Sequence, residues 1–288
     1  MYKFTPIRKT LVWGTEDWVI SGVPGNESVV AEGPEAGKKI TDIYPGQFPL
    51  LFKFIDALKD LSIQVHPGDE LAAKLHPGSR GKTEMWYVIA AEPGAKLYSG
   101  LTKAITPEEL ERRAHDGSLT EVLACYPVRP GDVFFLPAGR IHAICGGCFI
   151  AEIQQTSDLT YRIYDYGRMG LDGKPRQLHL AQAMEATDYK VYDTYRTEYT
   201  PEENEEVELV SCPYFTTCLF DLSLPYAKDL SEIDSFLTVM CLEGSGTLEV
   251  DGAETGLSQG ETVLIPAAAD DLCLVPDGSM KVLLSYIN

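Results

Sequence analysis

The chain has 288 residues, 44% of them hydrophobic, and carries 43 Asp and Glu against 24 Lys and Arg, a formal net charge of −19. This length and apolar content suit one large β domain or two ordinary ones with a sizeable core. So acidic a surface repels polyphosphate backbones and anionic bilayers, which argues against nucleic-acid and membrane-surface binding. A few local cations can still hold a small anion, so net charge leaves the substrate open. The opening MYKFTPIRKT has no apolar stretch of signal-peptide length, and no later run approaches a membrane span. A soluble cytoplasmic protein is the simplest expectation. The cysteines, Cys125, Cys145, Cys148, Cys212, Cys218, Cys241 and Cys273, are odd in number and scattered, which suits reduced intracellular thiols better than a disulfide framework.

In chain order, a loop at Trp13-Gly14 precedes an expected strand from Trp18 to Ser21 and a turn at Pro24-Gly25-Asn26. Residues 33–46 read as surface loop. The run 48–61, FPLLFKFIDALKDL, fits a buried strand or a short helix about equally. In 61–88, Gln64 and His66 share one face of a strand, and Glu84 stands in a second strand-like run, GKTEMWYVIA. Between them Asp69–Leu75 reads as a short helix capped by Asp69. Thr106-Pro107-Glu108-Glu109 is a helix start with a capping box, running to about Ala114 and stopping before Asp116-Gly117. A second short helix is expected near 119–123. Cys145-Gly146-Gly147-Cys148 reads as a hairpin turn between strands Ile141–Cys145 and Cys148–Ile153, not as a redox pair or a metal knuckle. The acidic stretch 196–208 reads as a connection. Beyond it, short strands at 208–211, 215–220, 236–242, 246–250, 261–265 and 281–286 argue for a β-sandwich or small barrel.

A weak repeat links the halves. Gly131-Asp132-Val133-Phe134-Phe135-Leu136-Pro137 and Gly260-Glu261-Thr262-Val263-Leu264-Ile265-Pro266 each set a turn glycine and an acid before an apolar strand that a proline ends. Five residues after Pro137 stands His142; five after Pro266 stands Asp271, and no histidine follows His179. The second half therefore has no imidazole to offer a metal.

The pattern at 131–142 resembles the second motif of the cupin superfamily, whose histidine is a metal ligand. Together with SIQVHP at 62–67, GKTEMWYVI at 81–89 and EIQQTSDLTYRIYD at 152–165, it makes the chain resemble the type I mannose-6-phosphate isomerases over most of 1–190, and more loosely beyond. The resemblance implies a mainly β fold of two cupin-type jelly-roll barrels with a few short helices. Residues 1–195 would be the catalytic domain and 196–288 a degenerate copy. Longer relatives carry a helical domain where only about 106–124 stands here, which implies a short bacterial form.

It also implies one Zn²⁺ per chain held by Gln64, His66, Glu84 and His142. Two imidazoles and a carboxylate are good zinc ligands, and an amide oxygen is a weaker fourth. The implied reaction is the interconversion of mannose 6-phosphate and fructose 6-phosphate through a cis-enediol. The resemblance places Glu152 and Arg162 in the pocket, where Arg162 stabilises negative charge or holds an anionic group. Lys82 shares the face of Glu84 and is a candidate for phosphate binding or proton transfer, with Ser62 as a hydroxyl donor. Glu152 and Lys82 both qualify as the base. Gly-Lys-Pro-Arg at 173–176 reads as solvated loop, and His76, His115 and His179 lack site context. A mixed His/Glu/Gln site also admits the iron of a cupin oxygenase, and a non-catalytic sugar-phosphate-binding cupin is the other alternative.

Overall fold

The strands that organise this molecule are apolar runs buried along nearly their whole length: Leu50–Ala57, Glu84–Ala91 and Cys148–Gln155. The computed structural model describes residues 1–287. These three strands lie side by side in an antiparallel six-stranded sheet, ordered Val133–Leu136, Glu84–Ala91, Cys148–Gln155, Leu50–Ala57, Gly14–Ile20 and Ile7–Leu11. A five-stranded sheet, ordered Leu123–Pro127, Lys96–Leu101, His142–Ile144, Ile63–Val65 and Tyr161–Tyr164, completes the jelly roll. The fold is mainly β and of cupin type, but its sheets are not closed into barrels.

Period-two alternation decides what each face carries. In the five-stranded sheet Ile63, Val65, Ile141, Ala143, Tyr161 and Ile163 join one apolar cluster, which also buries Leu110 of the helix Pro107–Asp116. That helix begins as its sequence dictates, with the Thr106 hydroxyl accepting from Glu109 N, and ends at a left-handed Gly117. The intervening residues of the sheet, Leu97 and Ile144, face the other way, into a cluster with Ile55, Trp86, Val88, Phe134 and Ile150 of the larger sheet. Each such buried aliphatic side chain contributes roughly 1.5–3 kcal/mol.

The chain divides into two compact units, Arg8–Val23 with Pro49–Arg196, and Met1–Ile7 with Pro24–Phe48 and everything from Thr197 on. A contiguous 1–195 domain is thus corrected at its N terminus. Tyr2–Thr5 pairs with Thr262–Ile265 (Tyr2 opposite Leu264) and with Val29–Val30, and the rings of Tyr44 and Phe48 pack on Phe236. Strand pairing across some 260 residues leaves no local mark in the sequence.

Three local expectations are also corrected. Gly68, not Asp69, stands at the N-cap of Asp69–Leu75, and the Asp69 carboxylate instead accepts from Gly81 N and Gln155 Nε2. The strands flanking Gly146-Gly147 belong to different sheets, so this turn crosses the sandwich and closes no hairpin. The 33–46 stretch contains a helical turn, Ile40–Ile43. The run at 48–61 resolves into strand, and all seven cysteines are free thiols. Among the described residues no helix is long and apolar enough to cross a membrane.

The repeat extends to hydrogen bonds. Asp132 and Glu261 each fold back on the backbone N–H three residues earlier, of Arg129 and Ser258. Gly131 N donates to Val88 O as Gly260 N does to Cys241 O. The shared frame makes the registers comparable. Leu136 lies opposite Glu84, and Ile265 opposite Leu237; Trp86 pairs with Glu152, and Val239 with Leu284; Glu152 pairs with Lys53, and Leu284 with Cys218. Where one unit carries Glu84, Glu152 and Lys53, the other buries Leu237, Leu284 and Cys218 in an apolar core.

Gly100 sits at φ +79°, and a Cβ there would lie 2.2 Å from the Tyr195 ring. The Tyr195 hydroxyl closes the contact by donating to Leu101 O at 2.9 Å and accepting from Leu101 N at 3.1 Å. Gly100→Ala combines a disfavoured φ with overpacking, and urea unfolding should show a loss of about 2–4 kcal/mol.

Candidate active site and metal centre

The site follows from the alternation. Two residues before Trp86 comes Glu84, two before Ile55 comes Lys53, and two after Ile150 comes Glu152, so all three share the face of the inter-sheet core. In the facing sheet Gln64 alternates with Ile63 and Val65, and Arg162 with Tyr161 and Ile163. Pairing then aligns Ser99, His142, Gln64 and Arg162 across that sheet. A cavity of about 160 Å³ opens among these residues, with Ser62, Gln64, Lys82, Glu152 and Arg162 on its wall.

His66, Glu84 and His142 are buried, and their ligand atoms all lie within 4.8 Å of one another. His142 Nε2 is 3.2 Å from Glu84 Oε1, and His66 Nε2 is 3.7 Å from Oε2. Each imidazole is oriented from behind by a backbone carbonyl, Leu159 O on His66 Nδ1 and Arg140 O on His142 Nδ1, both at 2.8 Å. A carbonyl only accepts, so Nδ1 holds the proton and the Nε2 lone pairs face the carboxylate. Burial and Lys82 hold both imidazoles well towards neutral, His142 at about 3. Glu84 Oε1 is buried without a hydrogen-bond partner. Two neutral imidazole nitrogens and an orphaned carboxylate oxygen converging on one point fit a divalent cation. Gln64 Nε2 lies 3.3 Å from His142 Nε2, and a half-turn of the amide brings its oxygen there instead.

Lys82 occupies the centre of the constellation. Its Nζ donates to Glu84 and to His66 Nε2 at 3.0 Å and stands 3.8 Å from Glu152 Oε1. Burial and the neighbouring Glu152 push the Glu84 carboxyl up to about 7. Glu152 goes the other way. Burial alone would raise it, but Lys53, then Lys82, together with the bonds from Lys53 Nζ at 2.8 Å and Trp86 Nε1 at 2.7 Å, hold it at about 2. Burial likewise opposes the Lys53 charge, and Glu152 and Glu16 outweigh it and raise its pKa. Glu16 is 3.6 Å from Lys53 Nζ and accepts from Trp18 Nε1 at 2.6 Å.

All eight expected residues, Ser62, Gln64, His66, Lys82, Glu84, His142, Glu152 and Arg162, therefore gather in one unit. Lys53 was missed, although a lone lysine in the apolar run LLFKFI is a signal: a charge buried between two apolar faces needs a partner. The reading of 173–176 as solvated loop is corrected at its last residue, because Arg176 lines the cavity while Lys174 is exposed. His179 accepts from Arg162 N, and His76 pairs with the Tyr161 hydroxyl.

Residues 16–87 match the family described as phosphomannose isomerase type I, catalytic domain, and residues 205–287 match the mannose-6-phosphate isomerase cupin domain. The chain is 32% identical to mannose-6-phosphate isomerase ManA of Bacillus subtilis over 99% of this chain and 98% of that one. It is 34% identical to the mannose-6-phosphate isomerase of Streptococcus mutans, over 95% and 88% of the two. The crystal structure of the Bacillus subtilis mannose 6-phosphate isomerase superposes with a TM-score of 0.90 at 32% identity, covering 99% of both chains. A variant of the Salmonella typhimurium phosphomannose isomerase shares the fold at a TM-score of 0.77 and 16% identity.

Removing Lys53 leaves buried carboxylates without their main counter-charge. Lys53→Met should cost about 3–5 kcal/mol in denaturant unfolding, and adding Glu152→Gln should return part of that loss. Strictly additive costs would show that the two groups do not compensate each other.

Proposed function

The chain belongs to the type I phosphomannose isomerase family, and on that premise we propose that it interconverts mannose 6-phosphate and fructose 6-phosphate in the cavity at Lys82. The observation that carries this reading is the buried convergence of two imidazole Nε2 atoms and one carboxylate beside a lysine and an arginine. His66, Glu84 and His142, with Gln64 as the weaker fourth, are the proposed ligands of a single Zn²⁺. When bound, the ion supplies Lewis-acid polarisation of the sugar oxygens. Reduced cysteines and a cytoplasmic setting belong to the same proposal.

The reaction moves one proton from C2 to C1 through a cis-enediol, while the hydroxyl proton of O2 passes in the same direction to O1. Its carrier has to be a group that reaches the cavity and can hold the proton between the two carbons. Glu152, held at about 2 and with both oxygens engaged, is a poor base and serves better to orient its neighbours. Lys82 reaches the cavity from the centre of the ligand set, and we assign it the transfer: in its neutral amine form it takes the C2 proton, and as the ammonium so formed it returns that proton at C1. Arg162, with Nε and Nη2 free of partners among the described residues, is assigned to stabilise negative charge on the substrate, and Ser62 to bind a sugar oxygen.

Purified chain loaded with Zn²⁺ should convert mannose 6-phosphate to fructose 6-phosphate, EDTA should abolish turnover, and His142→Ala should lose stoichiometric zinc. Absence of turnover at full metal occupancy would overturn the enzymatic reading. For the carrier, Lys82→Met should suppress solvent hydrogen exchange at C2 by about 100-fold or more, while Glu152→Gln retains measurable exchange. Intact exchange in the lysine variant would clear Lys82 of the role.

A further inference from the structure

Asp165 is buried and engaged by two arginines. Arg168 Nε donates to Oδ1 at 2.7 Å, and Arg176 forms a fork, Nε to Oδ2 at 2.7 Å and Nη2 to Oδ1 at 2.5 Å. Arg168 is further tied to the Asp60 carbonyl and does not reach the cavity. Arg162, three residues before Asp165, lines the cavity together with Arg176. Two guanidinium groups thus share one carboxylate and a third, Arg162, lies within its field, a local surplus of two positive charges. Asp158, an exposed carboxylate of the same wall, pairs with neither arginine among the described residues.

The surplus is felt in the structure. Burial first, and then the neighbouring Arg176, lower the Arg162 pKa. Arg162 Nη1 donates to Gln177 O at 2.9 Å, but its Nε is buried without a partner. Asp165 takes Nε and Nη2 of Arg176 and leaves Nη1 unpartnered among the described residues. The other cations of the cavity are already answered, Lys53 by Glu152 and Glu16, Lys82 by Glu84. Two half-buried guanidiniums with open N–H groups, one of them pinned by a carboxylate fork, describe a site for a doubly charged oxyanion.

We propose that Arg162 and Arg176 clamp the phosphate of the substrate, with Asp165 as the positioning residue that aims Arg176. This deepens the isomerase reading and rests on it for the identity of the ligand. It also gives the molecule an orientation. Arg162 pairs directly with Gln64 across one strand spacing, about 4.8 Å, so the clamp begins beside the proposed metal site. Lys82, enclosed by Glu84 and His66, is released from phosphate binding.

The test uses the full-length, zinc-loaded enzyme. Arg176→Gln should raise KM for mannose 6-phosphate about 10–100-fold while kcat stays within about threefold, the loss expected for one charge-assisted contact. Arg176→Lys, which keeps charge without the fork, should fall between. Zinc content should match the parent, and circular dichroism should show the variant folded at the assay temperature. Inorganic phosphate, titrated calorimetrically, should bind the parent and bind Arg176→Gln at least about tenfold more weakly. Unchanged KM and phosphate affinity in a folded Arg176→Gln chain would overturn the clamp, as would a fall in kcat alone. The phosphate titration stands apart from turnover, so failure of the clamp and failure of the isomerase reading are separable.

Discussion

The charges placed between two apolar sheets are the constraint on which the site depends. Lys53, Lys82, Glu84 and Glu152 are all buried, and an unpaired charge in such surroundings costs several kcal/mol. Two ammoniums and two carboxylates balance formally, but unevenly. Glu152 receives Lys53, Trp86 and the field of Lys82, whereas Glu84 has Lys82 and one oxygen with no partner. The uneven sharing drives the two carboxyls in opposite directions. It leaves one firmly ionised and structural, and the other, beside two neutral imidazoles, suited to a cation.

The C-terminal unit shows the same frame without that constraint. Its turn glycine, acidic fold-back and strand register repeat those of the other unit, yet Leu237, Leu284 and Cys218 stand where Glu84, Glu152 and Lys53 would be. Apolar side chains fill that interior at no electrostatic cost. The comparison separates what the fold needs, the alternation and turn geometry, from what the chemistry adds. The polar set is a burden carried by one unit only, around its cavity.

Electrostatics also divide labour along the cavity. At one end positive and negative side chains are matched, and the space between them is organised by imidazole lone pairs. At the other, Arg168 and Arg176 share Asp165, and with Arg162 beside them the cations remain in excess. A substrate with a carbonyl at one end and an anion at the other experiences opposite demands, which the proposed site would meet at the two ends of one cavity.

Much was legible in the sequence by itself. Gln64 and His66 share a strand face by period two, the Gly131–His142 spacing marks the imidazole-bearing turn, Thr106-Pro107 starts the helix, and His142 has only Asp271 as counterpart. These are local patterns, and local backbone geometry enforces them. Only the tertiary structure decided the rest. Lys53 joins Glu152 across 99 positions, the first strand leaves its neighbours to pair with Thr262–Ile265, and Arg176 turns from an apparent surface loop into the cavity wall. The proposed orienting role of Glu152 likewise rests on tertiary contacts, because its acidity depends on which cations fold against it. Register and charge pairing between distant strands depend on three-dimensional proximity, which residue spacing does not encode.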